Sequence, residues 1–178
     1  QLIETPRLIL RPFEEADVEA AFGWFGDADV MRFIPTGPDR SLEDTRRRVT
    51  GYREHQAAHG FSKWAIVERL SARLIGHSGL LVLPDLGWTD LGFCLSREHW
   101  GRGFATEAAY AWACAAFEDY GVTELGAFSH PGNAASLHVL AKVGFRESRR
   151  CQVRGMESVV FSLVPGDLKG RRARLTTG

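Results

Sequence analysis

The residues best spaced for chemistry are Trp100-Gly101-Arg102-Gly103-Phe104-Ala105-Thr106, which follow the apolar run Leu91-Gly92-Phe93-Cys94-Leu95 and open an Ala-rich stretch. A helix beginning there leaves its first N–H groups unpaired and carries a partial positive charge. Glycines at 101 and 103 let the backbone turn so that successive N–H groups converge, and they let phosphate oxygens approach where a Cβ would stand. The same two glycines equally suit a turn that only reverses strand into helix. Arg102 reads either as a charged phosphate contact or as a solvated side chain. Two familiar phosphate motifs fail on named residues. The GxxxxGK[ST] loop needs Lys followed by Ser or Thr, a dipeptide the chain lacks. The GxGxxG fingerprint has Thr106 at its third position, and the next strand ends in Phe128-Ser129-His130, without an acid.

The elements that must position this loop follow from periodicity. Leu8–Leu10 reads as a strand stopped by Pro12. Val18, Ala21, Phe22 and Phe25 recur at helical spacing, and Ser41 with Asp44 forms a capping-box pattern before a second helix carrying Leu42, Val49 and Tyr52, which stops at Gly60. Trp64–Val67 and Leu74–Gly76 flank a polar turn and predict a hairpin whose second strand runs on to Leu83. Leu91–Leu95 predicts a strand buried on both faces. A helix over about 105–120 ends at Gly121, a strand covers 124–129, and a helix over 135–143 closes at Gly144. Residues from Phe145 onward and Val159–Leu163 read as paired terminal strands. One α/β domain over 1–165 results. The basic stretch 166–178, with Lys169, Arg171, Arg172 and Arg174, reads as a flexible tail.

Composition narrows the function classes. The 178 residues hold 22 Lys+Arg against 22 Asp+Glu, without the basic surplus of a nucleic-acid binder. No apolar run nears the roughly 20 residues of a membrane helix and no secretory leader is expected, and the sparse cysteines suit a reduced, cytoplasmic setting. Cys94, Cys114 and Cys151 are too scattered for a disulfide framework or a CxxC zinc pair, and the six histidines show no ligand spacing, so no metal is expected. Cys94 reads as a small buried hydrophobe rather than a nucleophile. Arg46-Arg47-Arg48, beside Glu43 and Asp44, reads as a solvated helix face.

Four segments in order resemble the GNAT acyltransferase superfamily, in its Rim-type branch named for acetylation of ribosomal-protein N-termini. They are Glu4-Thr5-Pro6-Arg7-Leu8-Ile9-Leu10-Arg11-Pro12, Leu74-Ile75-Gly76 through Gly79-Leu80, Trp100–Ala108, and His130-Pro131-Gly132-Asn133-Ala134-Ala135-Ser136 with Lys142-Val143-Gly144-Phe145. Trp100 stands where the wider superfamily often has Gln or Arg, but Trp is common in this branch. The resemblance implies the GNAT fold: a mixed, mostly antiparallel sheet of about seven strands with splayed middle strands, flanked by about four helices.

The resemblance further implies an acetyl-CoA-dependent N-acetyltransferase acting by direct attack of an amine. Phe93, Cys94 and Leu95 would pair with the pantetheine arm, a backbone N–H there serving as oxyanion donor. Trp100, Gly101, Arg102, Gly103, Phe104, Ala105 and Thr106 would hold the pyrophosphate. Asn133, also a sound N-cap, would contact the pantetheine amide, and Ser136 would protonate the thiolate. Asp90 is the first choice of base, ahead of His130 and Glu157. Lys142 reads as solvent-facing rather than phosphate-binding. Trp24, Phe33, Trp88 and the region 149–156 fall where such folds build the acceptor pocket, although core is the better default for the aromatics. The acceptor is either a protein N-terminus or a small-molecule amine, and the protein a monomer or homodimer. A non-catalytic acyl-CoA sensor is the alternative from another class.

Overall fold

A computed structural model describes residues 1–170. One sheet holds eight strands: β1 (Ile3–Glu4), β2 (Leu8–Arg11), β3 (Lys63–Glu68), β4 (Leu74–Leu83), β5 (Trp88–Leu95), β6 (Leu125–Ser129), β7 (Arg146–Val153) and β8 (Met156–Leu163). The helices are α1 (Val18–Phe25), α2 (Leu42–His59), α3 (Phe104–Glu118) and α4 (Ala134–Val143). The strand order is β1-β2-β3-β4-β5-β6-β8-β7, and every neighbouring pair is antiparallel except β5 with β6. The eighth strand is β1, two residues long and too short to show alternation in sequence.

Alternation along the strands splits the apolar side chains between two faces. Leu8, Leu10, Trp64, Ile66, Leu91 and Leu95 pack on α3 and α4. Phe13, Ala65 and, in part, Cys94 pack on α1 and α2. On α1 the buried side holds Trp24 where the periodicity suggested Phe22, which is only half-buried. On α2 it holds Thr45, Val49 and the half-buried Tyr52, while Leu42 at the first helical position is exposed. Ser41 Oγ accepts from Asp44 N–H at 3.2 Å, but the Asp44 carboxylate turns to Arg40 N–H, so only half of the capping box forms.

The sheet forks between β5 and β6. Strand β5 pairs with β4 along its whole length, from Leu83↔Trp88 to Gly76↔Leu95. It pairs with β6 only at Thr89↔Leu125 and Asp90↔Gly126. Beyond those positions β6 stays with β8 as far as Ser129↔Val159, and a gap opens. Gly92, Phe93 and Cys94 are therefore half-buried, not buried on both faces as the apolar run suggested.

Antiparallel pairing also decides which groups face the gap. Ser96 N–H donates to Ile75 O at 2.9 Å, so Cys94 and Gly92, two and four residues earlier, likewise aim their main-chain groups at β4. Leu91 and Phe93 aim theirs into the gap.

The start of the expected tail is docked. Lys169 N–H donates to Val143 O at 2.8 Å, Arg146 pairs with Asp167 at 2.6 Å, and Leu168 packs against the α3–α4 core. Arg171, Arg172 and Arg174 lie outside the described residues.

Candidate active site

At the mouth of the fork, Gly101 (φ +71°) and Gly103 (φ +80°) take left-handed conformations, and Gly103 caps α3. The first α3 N–H to find an acceptor is that of Glu107, on Gly103 O at 3.1 Å. From Gly101 to Thr106 the N–H groups have no acceptor among the described residues. Six consecutive donors at a helix N-terminus, turned by two left-handed residues, make a nest for a polyanion. Phe104 is buried beneath them, whereas Ala105 and Thr106 are half-exposed. The Trp100 indole N–H donates to Leu95 O at 2.9 Å, tying the loop to the end of β5 and occupying a carbonyl at the gap's edge. Arg102 is exposed, and it pairs at 3.0 Å with Glu68, which is buried, with its guanidinium over the Phe104 ring.

A clamp from the chain's start holds this helix end. Glu107 accepts from Thr5 Oγ1 at 2.6 Å, Arg7 N–H at 2.9 Å and Arg7 Nε at 2.7 Å, while Arg7 Nη1 donates to Arg102 O at 2.8 Å. A carboxylate in the first turn would repel a bound anion, and Arg7 offsets that charge. Glu107→Ala should cost about 2 kcal/mol of stability by leaving Thr5 and Arg7 unpaired, and weaken binding of a CoA ligand about 10-fold by freeing the loop. Chemical denaturation and calorimetry check the two effects separately.

The crotch of the fork holds a buried charged group. Asp90, at the last β5–β6 pair, is 7 % exposed and accepts from Trp88 Nε1 at 3.0 Å. The Trp88 ring lies over Gly126, where any Cβ would overlap it. Burial raises the Asp90 carboxyl to about pKa 6, against the lowering influence of Lys63, the Trp88 hydrogen bond and Arg154. Lys63, Asp90, Gly92 and Cys94 share the sheet face under α1 and α2. Burial pushes the Cys94 thiol up to about 12, so it stays protonated at neutral pH and is no nucleophile. His77, across from Cys94, accepts from Trp24 Nε1 at 3.0 Å, stacks on Phe25, and is held neutral by burial and by Lys63 and Arg48. Arg48 departs from the solvated face expected for Arg46-Arg47-Arg48: it turns inward, pairs with Asp39 at 2.6 Å and lies over Phe25. Its two neighbours do face solvent and pair with Glu15, Glu43 and Asp44.

Across the gap, Asn133 Oδ1 caps α4 by accepting from Ser136 N–H at 3.2 Å. The Asn133 amide NH₂ and the Ser136 hydroxyl have no hydrogen-bond partner among the described residues, and both side chains are half-buried. His130 accepts from Gly132 N–H on Nδ1 at 2.9 Å and stacks on Phe33, an arrangement that assigns its proton to Nε2.

A forked sheet with a donor nest at its mouth is the setting in which comparison with known proteins decides the family. Residues 7–146 match the model of the acetyltransferase (GNAT) domain. This chain is a GNAT acetyltransferase. Its relatives include an uncharacterised N-acetyltransferase of Bacillus subtilis, YoaA, 30 % identical over 82 % of this chain and 83 % of that protein. Among solved structures, an acetyltransferase from Agrobacterium tumefaciens superposes with a TM-score of 0.82 at 26 % identity, covering 92 % of this chain and 94 % of that one. A ribosomal-protein-S5-alanine acetyltransferase from Vibrio fischeri shares the fold, with a TM-score of 0.76 at 18 % identity over 96 % of this chain and all of that one.

For a GNAT acetyltransferase the base candidates now separate. Asp90 is buried at the fork. His130 has one ring nitrogen engaged by Gly132 and a proton on the other. Glu157 is exposed on β8 opposite Gln152, and Lys142 is exposed on α4. The backbone contacts expected of Phe93, Cys94 and Leu95 are redistributed. Phe93 faces the gap, the Cys94 main chain faces β4, and Leu95 O is taken by Trp100. Lys63, His77 and Arg48 escaped the sequence reading as site residues.

Proposed function

We propose that this acetyltransferase uses acetyl-CoA and passes its acetyl group directly to a primary amine. The reading rests on one juxtaposition: six donors without acceptors at the mouth of a gap whose crotch holds a carboxylate with a pKa of about 6. The nest suits the cofactor's pyrophosphate, and the gap edge, with Leu91 and Phe93, suits an extended amide-bearing arm such as pantetheine. Acetyl-CoA supplies an activated thioester carbonyl. Asp90, ionised above pH 6, accepts a proton from the incoming ammonium. The Phe93 N–H donates to the carbonyl oxygen as it gains charge. Ser136 donates its proton to the departing sulfur and takes up the one the nitrogen loses as the amide forms, with Asn133 positioning the arm. Cys94, a thiol held protonated, argues for direct transfer without an acyl-enzyme.

Incubating the protein with acetyl-CoA and a panel of peptides and small amines, and measuring thiol release, tests the reading. Acceptor-dependent release is expected; absence of both release and acetyl-CoA binding refutes it. Ser136→Ala should slow turnover about 100-fold while leaving CoA affinity within about twofold. Unchanged turnover would remove Ser136 as the acid.

A further inference from the structure

Lys63 opens β3, yet it is 9 % exposed and carries its charge inside the fold. Its path is set by two glycines. Lys63, Gly79 and Gly92 form one cross-strand row over β3, β4 and β5. A Cβ on Gly79 would overlap the backbone at Ser62, just ahead of β3, and one on Gly92 would overlap Lys63 Nζ itself. The lysine side chain therefore reaches across the sheet and fills the space above Gly92. That same Cβ point lies 3.9 Å from Asp90 Oδ2. The ammonium and the carboxylate thus stand within about 6 Å of each other, close enough for either charge to govern the other's ionisation.

The two oxygens of Asp90 are not equivalent. Oδ1 holds the Trp88 indole N–H at 3.0 Å, whereas Oδ2, on the Lys63 side, receives no hydrogen bond among the described residues. Lys63 faces the oxygen left to take a proton, and it does so at a standoff: its charge stabilises the anion without occupying the lone pair. The other groups turned toward Asp90 are neutral or engaged elsewhere. On β4, His77 is held neutral and bonded to Trp24; on β5, Cys94 is a thiol. On α2, Arg48 has Asp39 at 2.6 Å and the buried Tyr52 stays a neutral phenol. From the β7–β8 turn, Arg154 pairs with Asp85 at 3.2 Å. Of the influences that oppose the burial of the Asp90 carboxylate, Lys63 is the largest. Replacing a buried pair of charges by apolar side chains often stabilises a fold, so folding alone does not call for this one.

We propose that Lys63 is a positioning residue for the base: its ammonium, standing off the free oxygen of Asp90, sets the pH above which that oxygen takes the acceptor's proton. This rests on the acetyl-transfer reading above. Lys63 touches neither substrate nor cofactor in this role, and it acts through Asp90 alone.

The test pairs two titrations on the whole protein. The first follows the Asp90 carboxyl by NMR of carboxyl-labelled protein, without cofactor or acceptor, its signal identified by loss in Asp90→Asn. The second follows kcat against pH with acetyl-CoA and the best amine of the acceptor panel. In Lys63→Met the carboxyl titration should move up by at least about one pH unit, and the acidic limb of kcat should move with it. Near pH 5 that is a loss of about 10-fold or more relative to the parent; near pH 9 kcat should return to within about threefold, with both KM values within about twofold. Lys63→Arg, which keeps the charge, should hold both titrations near those of the parent. If Lys63→Met does not fold, Lys63→Gln carries the same expectation. A carboxyl titration unmoved by loss of the charge would overturn the proposal and leave Asp90 standing as the base. A carboxyl titration that moves while the limb of kcat stays would overturn it by removing Asp90 as the base. A uniform loss of kcat at every pH, with the limb in place, would make Lys63 a packing residue only. Failure of the acetyl-transfer reading looks different: no thiol from any acceptor and no binding of acetyl-CoA.

Discussion

Gly103→Val is expected to weaken acetyl-CoA binding by at least about 100-fold while leaving the fold intact. Gly103 sits at φ +80°, a conformation a β-branched residue resists by roughly 1–2 kcal/mol. Its Cβ would also stand 3.3 Å from Arg7 Nη2, close enough that the guanidinium must give way. Relief of both requires turning the peptide ahead of α3, and that disperses the six converging N–H groups. The local strain is small beside the stability of a domain this size, so folding should survive with a modest drop in Tm. Gly101→Ala is the milder control. It meets the same backbone resistance at φ +71°, but nothing lies within 4 Å of its Cβ. Calorimetric titration of both variants with CoA checks the order. Unchanged affinity in Gly103→Val would place the pyrophosphate elsewhere.

Asp90→Asn is expected to lower kcat about 1,000-fold and to flatten the acidic side of the pH profile. The base must be ionised to accept a proton, so parent activity should rise with pH through about 6 and then level. Asn cannot titrate, and the residual rate should show no such rise. Stability moves in the opposite sense. The folded-state pKa of Asp90 lies above its ordinary value of 3.8, so its favourable contribution is complete below about pH 4 and is lost as pH climbs through 6. Above that range the parent carries a burial cost of up to about 3 kcal/mol, which Asn does not incur. Denaturation at pH 4 and pH 7.5 should therefore show the variant gaining on the parent at the higher pH. A rise in activity through pH 6 that survives in Asp90→Asn would remove Asp90 as the base.

Much of the scaffold was legible in the sequence because local chemistry determined it. The glycines at 60, 103 and 144 end or begin helices in left-handed conformations that other residues adopt at a cost, and Asn133 caps α4 as its side chain predicts. Other features depend on what lies across the sheet. A lysine at the start of a strand reads as an exposed edge. Only the register that brings Gly79 and Gly92 alongside Lys63 turns it inward. Arg48 reads as one of three solvated arginines until the loop carrying Asp39 folds back to meet it. The β5 strand was visible as an apolar run, but which half of its peptide groups faces β4 was not. That choice is made by pairing: of the expected Phe93, Cys94 and Leu95 it turns the Cys94 main chain to β4, and it adds Leu91 to Phe93 on the gap side. Trp24 and His77 were missed as a pair because their bond joins α1 to β4 through the middle of the molecule.

The fork also has a mechanical consequence. A sheet resists shear through its ladder of inter-strand bonds, yet between β5 and β6 the ladder holds two residue pairs. Compliance is thus concentrated along one line, with β1–β5 and α1–α3 on one side and β6–β8 and α4 on the other. The side chains proposed to act on the thioester straddle that line: Asp90 and Phe93 stand on one bank, Asn133 and Ser136 on the other. Their spacing is set by the opening angle of the sheet, and the stacking of Trp88 on Gly126 is the wedge that holds the angle at its vertex.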